Sequence, residues 1–236
     1  MNGLENTRLS GKLAKILQAA IIDGELQAGT KLPTESVLME KYNVSRTVVR
    51  EAAALLVSRG IVEVRPRRGM TVRKPDGHGL AESLIAQLQM NRVSLSQLLE
   101  VRISLECAIA RIAAGSRTED DILCLQAIQK KMSDPKISKE GAVESDLLFH
   151  EALAKATHNP FFSLVTNPIN ELLRSLYLDK IGYMSLRKHT IAEHKVILEA
   201  VIRQQPDSAD LATRVHLGRV EKSVQAFINE DKGTRQ

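Results

Sequence analysis

The sequence predicts a mostly α-helical chain of two parts, an N-terminal winged helix-turn-helix domain and a C-terminal antiparallel α-helical bundle. Three observations predict it. Apolar residues recur at the three-and-four spacing of amphipathic helices, both near the N-terminus and from Leu80 onward. Two short β-favouring runs, residues 61–65 and 70–73, flank Pro66-Arg67-Arg68-Gly69, which suits a hairpin tip. Between the two parts, Lys74-Pro75-Asp76-Gly77-His78-Gly79 sets one proline and two glycines in a stretch that continues neither helix nor strand. The expected division is residues 1–74 for the winged domain, 75–79 for a linker and 80–236 for the bundle.

In the first part, Leu9, Leu13, Ile16, Leu17, Ala20 and Ile21 form one apolar helix face that Gly24 ends. Thr34 suits the N-cap of a second helix reaching Tyr42, and Tyr42-Asn43-Val44 the turn after it. Ser45 then caps a third helix to about Arg59, with Val48, Val49, Ala52, Leu55 and Leu56 facing the core and Arg46 and Arg50 one turn apart on another face. This third helix is the candidate for major-groove recognition, since arginines near a helix start can fork onto guanine edges. Thr47 and the amides around Ser45 suit phosphate oxygens, and Arg67 or Arg68, beside Gly69 at the hairpin tip, can reach the minor groove or a phosphate.

Exposed arginines are commonly only a solvated face. Here the charge is localised: residues 1–75 hold 13 Lys and Arg against 7 Asp and Glu, whereas residues 76–236 hold 20 against 21. An electrostatic footprint confined to the segment with reader geometry points to double-stranded DNA, and argues against an architectural DNA binder with a broad basic surface.

From Leu80 onward, connections at Gly115-Ser116, Ser133-Asp134-Pro135, His158-Asn159-Pro160 and Gln205-Pro206 separate six or seven expected helices. Thr118-Glu119-Asp120-Asp121 reads as a capped helix start, and Pro160 suits a first helical turn. Cys107 and Cys124 are too few for a disulfide framework and read as small apolar core residues. No apolar run nears the ~20 residues of a membrane span and the N-terminus lacks the features of a signal peptide, so a cytoplasmic location is expected.

The bundle carries a second chemical signal. Asp146 and His150 are four apart, on one face of one helix, and His194 and His216 fall on two later helices among inward-facing Leu, Val and Ile. An Asp and His at this spacing is more commonly a salt-linked surface pair. Three imidazoles on separate helices with one carboxylate nevertheless suit a divalent transition metal such as zinc, nickel or manganese, with positions left for water or a ligand. His78, His158 and His189 fall in or near loops and read as surface residues. The competing reading is a metal-dependent hydrolase with an accessory DNA-binding domain, in which Glu151 or Glu193 would be the general base. Both follow a ligand directly, and consecutive helical residues point about 100° apart, so each is expected to face away.

The run Gly24-x-Leu26-x-x-Gly29-x-x-Leu32-Pro33-Thr34-Glu35, then Val44-Ser45-Arg46-Thr47-Val48-Val49-Arg50-Glu51-Ala52, then Gly60-Ile61-Val62 and Arg68-Gly69, resembles the N-terminal domain of GntR-family transcription regulators. Ser36 departs from the arginine that the family often carries there. Asp146-x-x-x-His150, Asn159-Pro160, Glu193-His194-x-x-Ile197-x-x-Ala200-Val201 and His216 are similar to the FCD-type effector domain of the FadR subfamily. The resemblance implies a metal held by Asp146, His150, His194 and His216, with a small carboxylate effector completing its coordination. It also implies an arginine over the pocket, which makes Arg102 the first effector-binding candidate; Asn159 and Arg174 are further candidates, each readable as a helix cap or a surface residue. Tyr177 and Thr190 read as core packing or exposed positions. Glu100-x-Arg102 and His158-Asn159-Pro160 are similar to regulators of sugar-acid catabolism. A repressor acting as a homodimer on a palindromic operator, relieved by a hydroxy or sugar acid, is what the resemblance and duplex symmetry together imply.

Overall fold

The computed structural model describes residues 2–65, 69–73, 84, 86–88, 90–179 and 182–233, and the chain divides into two compact units, Met1–Leu80 and Ala81–Gln236. The expected linker 75–79 lies outside the described residues, as do His78, Arg67 and Arg68.

The first unit holds α1 (Asn2–Ile22), α2 (Glu35–Tyr42), α3 (Arg46–Ser58), β1 (Val62–Arg65) and β2 (Gly69–Val72). Local chemistry sets the boundaries. The Thr34 hydroxyl accepts from the Val37 amide to start α2, and the Ser45 hydroxyl accepts from the Val48 amide to start α3. Between them Asn43 takes the left-handed conformation at φ 48°, one that asparagine tolerates better than most residues. Leu13, Ala14 and Leu17 of α1 pack on Val49, Ala52 and Leu56 of α3.

Two members of the expected α1 face are not core: Leu9 and Ile16 are 39% and 47% exposed. The buried stripe is rotated toward Ser10 and Ala14, whose small side chains let α3 approach closely, leaving Leu9 and Ile16 at its edge. The strands pair antiparallel with Val62 opposite Val72, both buried, and Gly69 opens β2 at φ 76°, where a side chain would be strained. Lys31 bridges to Thr71 and lays the chain before α2 along the hairpin.

The second unit holds α4 (Leu95–Ser116), α5 (Glu119–Met132), α6 (Lys139–Lys155), α7 (Pro160–Asp179), α8 (Tyr183–Ile202) and α9 (Pro206–Gly233), and residues 84, 86–88 and 90 are helical as well. Ser94 with Gln97, and Thr118 with Asp121, form reciprocal capping boxes at the starts of α4 and α5. Gly115-Ser116 is not a connection; both residues belong to the last turn of α4, and the break comes at Arg117. Cys107 is buried, whereas Cys124 is exposed, because α5 turns Ile122 and Leu125 inward instead.

Helix α4 packs on α9, α8 and α6, and α6 packs on α5 and α7. The apolar interior forms two clusters, one around Ile109, Phe149, Leu153 and Ile197, the other around Leu99, Leu147, Leu173 and Val220. On α4 and α9, buried polar residues fall between the stretches that feed the two clusters, Arg102 with Glu106 and His216; on α6, Asp146 and His150 flank the point between Leu147 and Phe149 where one cluster gives way to the other. Thr190 and His194 of α8 likewise precede its contribution to the first cluster. A polar layer therefore crosses the bundle between two hydrophobic halves. Among the described residues no helix is long and apolar enough to cross a membrane.

Candidate functional site

On the winged unit, Ser45, Arg46, Thr47 and Arg50 are exposed together at the N-terminal half of α3. Arg46 is already oriented, its Nε 3.3 Å from the Glu35 carboxylate at the start of α2. Arg50 lines a groove of about 840 Å³ between α3 and the hairpin, whose wall continues through Ala54, Val57, Val64 and Met70. Cationic donors and open first-turn amides thus share one end of a helix whose opposite face is core, an arrangement able to meet phosphates and base edges.

In the bundle, Asp146 and His150 of α6, His194 of α8 and His216 of α9 are all buried, and one ligand atom from each lies within 4.8 Å of the others. His194 Nε2 is 3.2 Å from His216 Nε2 and 3.3 Å from Asp146 Oδ1. Phe149 stacks on the His194 ring with centroids 4.1 Å apart and walls that side with hydrocarbon. Burial, followed by the neighbouring His216 and His150, pushes His194 well below the ordinary histidine range. Burial likewise lowers His216 despite its bond to Glu193. Both rings are therefore neutral at pH 7, the form that coordinates metals.

A shell of ion pairs backs these groups. His216 Nδ1 is 2.8 Å from Glu193 Oε2, and His150 Nδ1 contacts Glu106 Oε2, so a carboxylate stands behind two of the three imidazoles and leaves the Nε2 atoms free to coordinate. Burial alone would raise Glu106, but Arg102 and His150 hold it at about 2; hydrogen bonds from His216 and Arg219 overcome burial and hold Glu193 at about 2. Arg102 is buried and donates through Nε to Glu106 at 2.6 Å and through Nη1 to the Tyr177 hydroxyl at 3.2 Å. Arg219 donates to both Glu193 oxygens, at 2.6 and 2.7 Å, and to the Thr190 hydroxyl at 2.9 Å. Among the described residues, His150 Nε2, Arg102 Nη2 and Arg219 Nη1 are buried without a hydrogen-bond partner. Three nitrogens and one carboxylate, with an orphaned imidazole nitrogen and two imidazole edges facing each other, fit a divalent transition ion.

Of the sequence-derived site residues, the four proposed metal ligands come together and Arg102 lies beside them. Asn159 does not join them: it is exposed, and its side chain accepts from the Phe161 amide as the cap of α7. Arg174 is drawn to Glu144 and Glu171, and Glu144, two positions before Asp146, projects from the opposite side of α6. Tyr177 and Thr190, expected as core packing or exposed positions, are both buried and in addition hydrogen-bond the two arginines. Glu193 does not face away; its carboxylate reaches across to the ring of His216 on α9. Glu106 and Arg219 were not anticipated, although Arg102-x-x-x-Glu106 carries the spacing of a helical ion pair. Both candidate bases are occupied: Glu151 pairs with Lys155, and the two Glu193 oxygens are taken by His216 and Arg219.

The family description "Bacterial regulatory proteins, gntR family" matches residues 9–72, and the FCD domain matches residues 97–219. The transcriptional regulator LutR of Bacillus subtilis (strain 168) is 32% identical over 216 residues, 89% of this chain and 99% of that protein. The Uxu operon transcriptional regulator of Escherichia coli (strain K12) is 34% identical over 231 residues, covering 93% and 88%. A solved structure, Streptococcus agalactiae GntR, superposes with a TM-score of 0.71 at 29% identity, over 91% of this chain and 99% of that one. The matches to these transcriptional regulators run along nearly the whole of this chain, which leaves no place for the hydrolase reading. The chain belongs to the GntR family of bacterial regulatory proteins, carries an FCD domain, and is a DNA-binding transcription regulator, not an enzyme.

Proposed function

We propose that this regulator is a repressor that binds a palindromic operator as a homodimer and is released by a small carboxylate, a hydroxy or sugar acid, taken up in the bundle. The observation that carries the reading is the buried set Asp146, His150, His194 and His216, backed by Glu106 and Glu193. Zinc, nickel or manganese held by those four residues would supply positive charge and a coordination position for a carboxylate oxygen. The chain's own residues do the rest. Glu106 and Glu193 fix the orientation and tautomer of His150 and His216. Arg102, braced by Glu106 and Tyr177, turns its unpartnered Nη2 toward the effector's carboxylate. Asn159 and Arg174, occupied elsewhere, are left out of the effector site.

On the winged unit, Arg46 and Arg50 read base edges while Thr47 and the Ser45 end of α3 take phosphates; Arg67, Arg68 and Gly69, which follow β1 in the sequence, contact the duplex beside them. One winged unit per half-site matches the twofold symmetry of a palindrome, and a cytoplasmic location beside the chromosome goes with it. The effector acts only through a difference in its affinity for the operator-bound and free dimers, so operator DNA must weaken effector binding by the same factor.

Two variants separate the tasks. His194→Ala loses metal, assayed by elemental analysis, and loses effector response while operator affinity persists. Arg50→Ala does the reverse, keeping metal and losing operator binding in a gel-shift titration. The opposite pattern in either variant rules the assignment out.

A further inference from the structure

Asn170 of α7 is 5% exposed, and its side-chain Oδ1 is buried with no hydrogen-bond partner among the described residues. Buried amides are nearly always satisfied, since leaving one bare destabilises the fold by the desolvation of that group. Asn170 belongs to a buried stripe of α7, Thr166, Asn170, Leu173 and Tyr177, at four-, three- and four-residue spacing. The other polar members are spoken for: the Thr166 hydroxyl donates to the Phe162 carbonyl, and the Tyr177 hydroxyl accepts from Arg102. The stripe that carries Asn170 is thus the one that meets the proposed effector arginine.

Its level along the bundle follows from the α6–α7 hairpin. The two helices are joined by a short turn, pack on each other, and are pinned by the Arg174–Glu144 ion pair. In an antiparallel pair, four residues back along α7 correspond to four residues on along α6. Asn170 is therefore level with Leu148, midway between Asp146 and His150, and its unsatisfied amide lies at the height of the donor cluster.

We infer that Asn170 is a specificity-determining residue of the effector site, whose amide takes a hydroxyl of a polyhydroxylated acid bound through its carboxylate. This rests on the carboxylate reading above. A hydroxyl both donates and accepts, so it satisfies a primary amide in either flip of its oxygen and nitrogen. A short acid bearing one hydroxyl next to its carboxylate would use up both groups at the metal and Arg102. Only a longer, further hydroxylated acid has a group left for Asn170.

The test uses the full-length, zinc-loaded chain and follows thermal shifts and calorimetric titrations with glycolate, lactate, glycerate, threonate, galactonate and galacturonate. Asn170→Leu removes the amide while keeping its volume, and Asn170→Ala is the second variant should leucine fail to fold. The expected result is a loss of about tenfold in affinity for the longer acids, the worth of one hydrogen bond, with unchanged zinc content and unchanged affinity for any short acid that binds. A purely structural asparagine predicts a different outcome: a lower ligand-free melting temperature for Asn170→Leu and an unaltered ratio of long-acid to short-acid affinity. That unaltered ratio overturns the inference and leaves the carboxylate site standing. If the wild-type protein binds only short acids, the inference is likewise overturned; if it binds none of the acids, the carboxylate reading fails and takes the inference with it.

Discussion

The two glutamates behind the imidazoles are the residues through which the chain controls its donor cluster. Glu193 is gripped by Arg219 through two hydrogen bonds and by His216 through a third, so its position is set before any ion arrives. Glu193→Gln keeps the shape but weakens the hold on the His216 ring, and zinc affinity, measured by competition with a chromogenic chelator, should fall about 10- to 100-fold. The pH dependence of the metal-free protein has a definite sign. His194 and His216 are held below the ordinary value of 6.5, so on acidification through that value the unfolded chain takes up protons that the folded one refuses, and stability falls. Glu106 and Glu193, held at about 2 against 4.5 in the unfolded chain, add stability above 4.5 that is lost as pH drops toward 2. Melting temperature of the chelated protein should therefore decline from pH 7 to 5 and more steeply below 4.5; a flat profile between 7 and 5 would contradict neutral buried imidazoles.

At the scale of elements, what was legible in the sequence was whatever is decided within a few residues. Thr34, Ser45 and Thr118 cap helices because a hydroxyl three residues from an amide is enough, and Pro160 begins α7 because its missing N–H costs nothing there. Ser45→Ala should cost about 1 kcal/mol in denaturant titration, and should weaken DNA binding further by loosening the first turn of α3. The four clustered donors were legible in part, since three histidines fell on apolar helix faces, but the spacing of Asp146 and His150 alone favoured a surface pair and the resemblance to the FCD-type domain carried the set. What escaped was settled across helices. Glu106 matters because His150 arrives from α6, and Arg219 because Glu193 arrives from α8; neither partner is visible from its own segment. The error at Leu9 and Ile16 has the same origin, because the sequence records that a face is apolar but not how much of it a short α3 can cover. Core positions should behave as their burial dictates: Leu153→Ala, in the first apolar cluster, should cost about 2–5 kcal/mol of unfolding free energy by chemical denaturation.

For the whole molecule, charge and function divide along the chain. The positive excess lies in residues 1–75, so operator binding should weaken steeply with salt, while acid binding at the site proposed among the buried groups of the bundle should hardly respond. Within the winged unit, Arg50→Ala should cost about 1–3 kcal/mol for the operator over random duplex and relax the preference at one base pair; Arg68→Ala should weaken all sequences alike and lower the salt slope by about one. Fluorescence anisotropy at several salt concentrations distinguishes the two.

The polar layer across the bundle divides its oil into two reservoirs, and among the described residues Leu105 packs against both. Such a seam is where a helical bundle breathes. Without an ion, the amides flanking Asp146, His150, His194 and His216 should exchange with deuterium faster than those beside Leu153 or Val220, and zinc should slow the seam selectively. The ion would then act as a stitch between two half-cores, and an acid drawn to it would change how tightly α4, α6, α8 and α9 move as one.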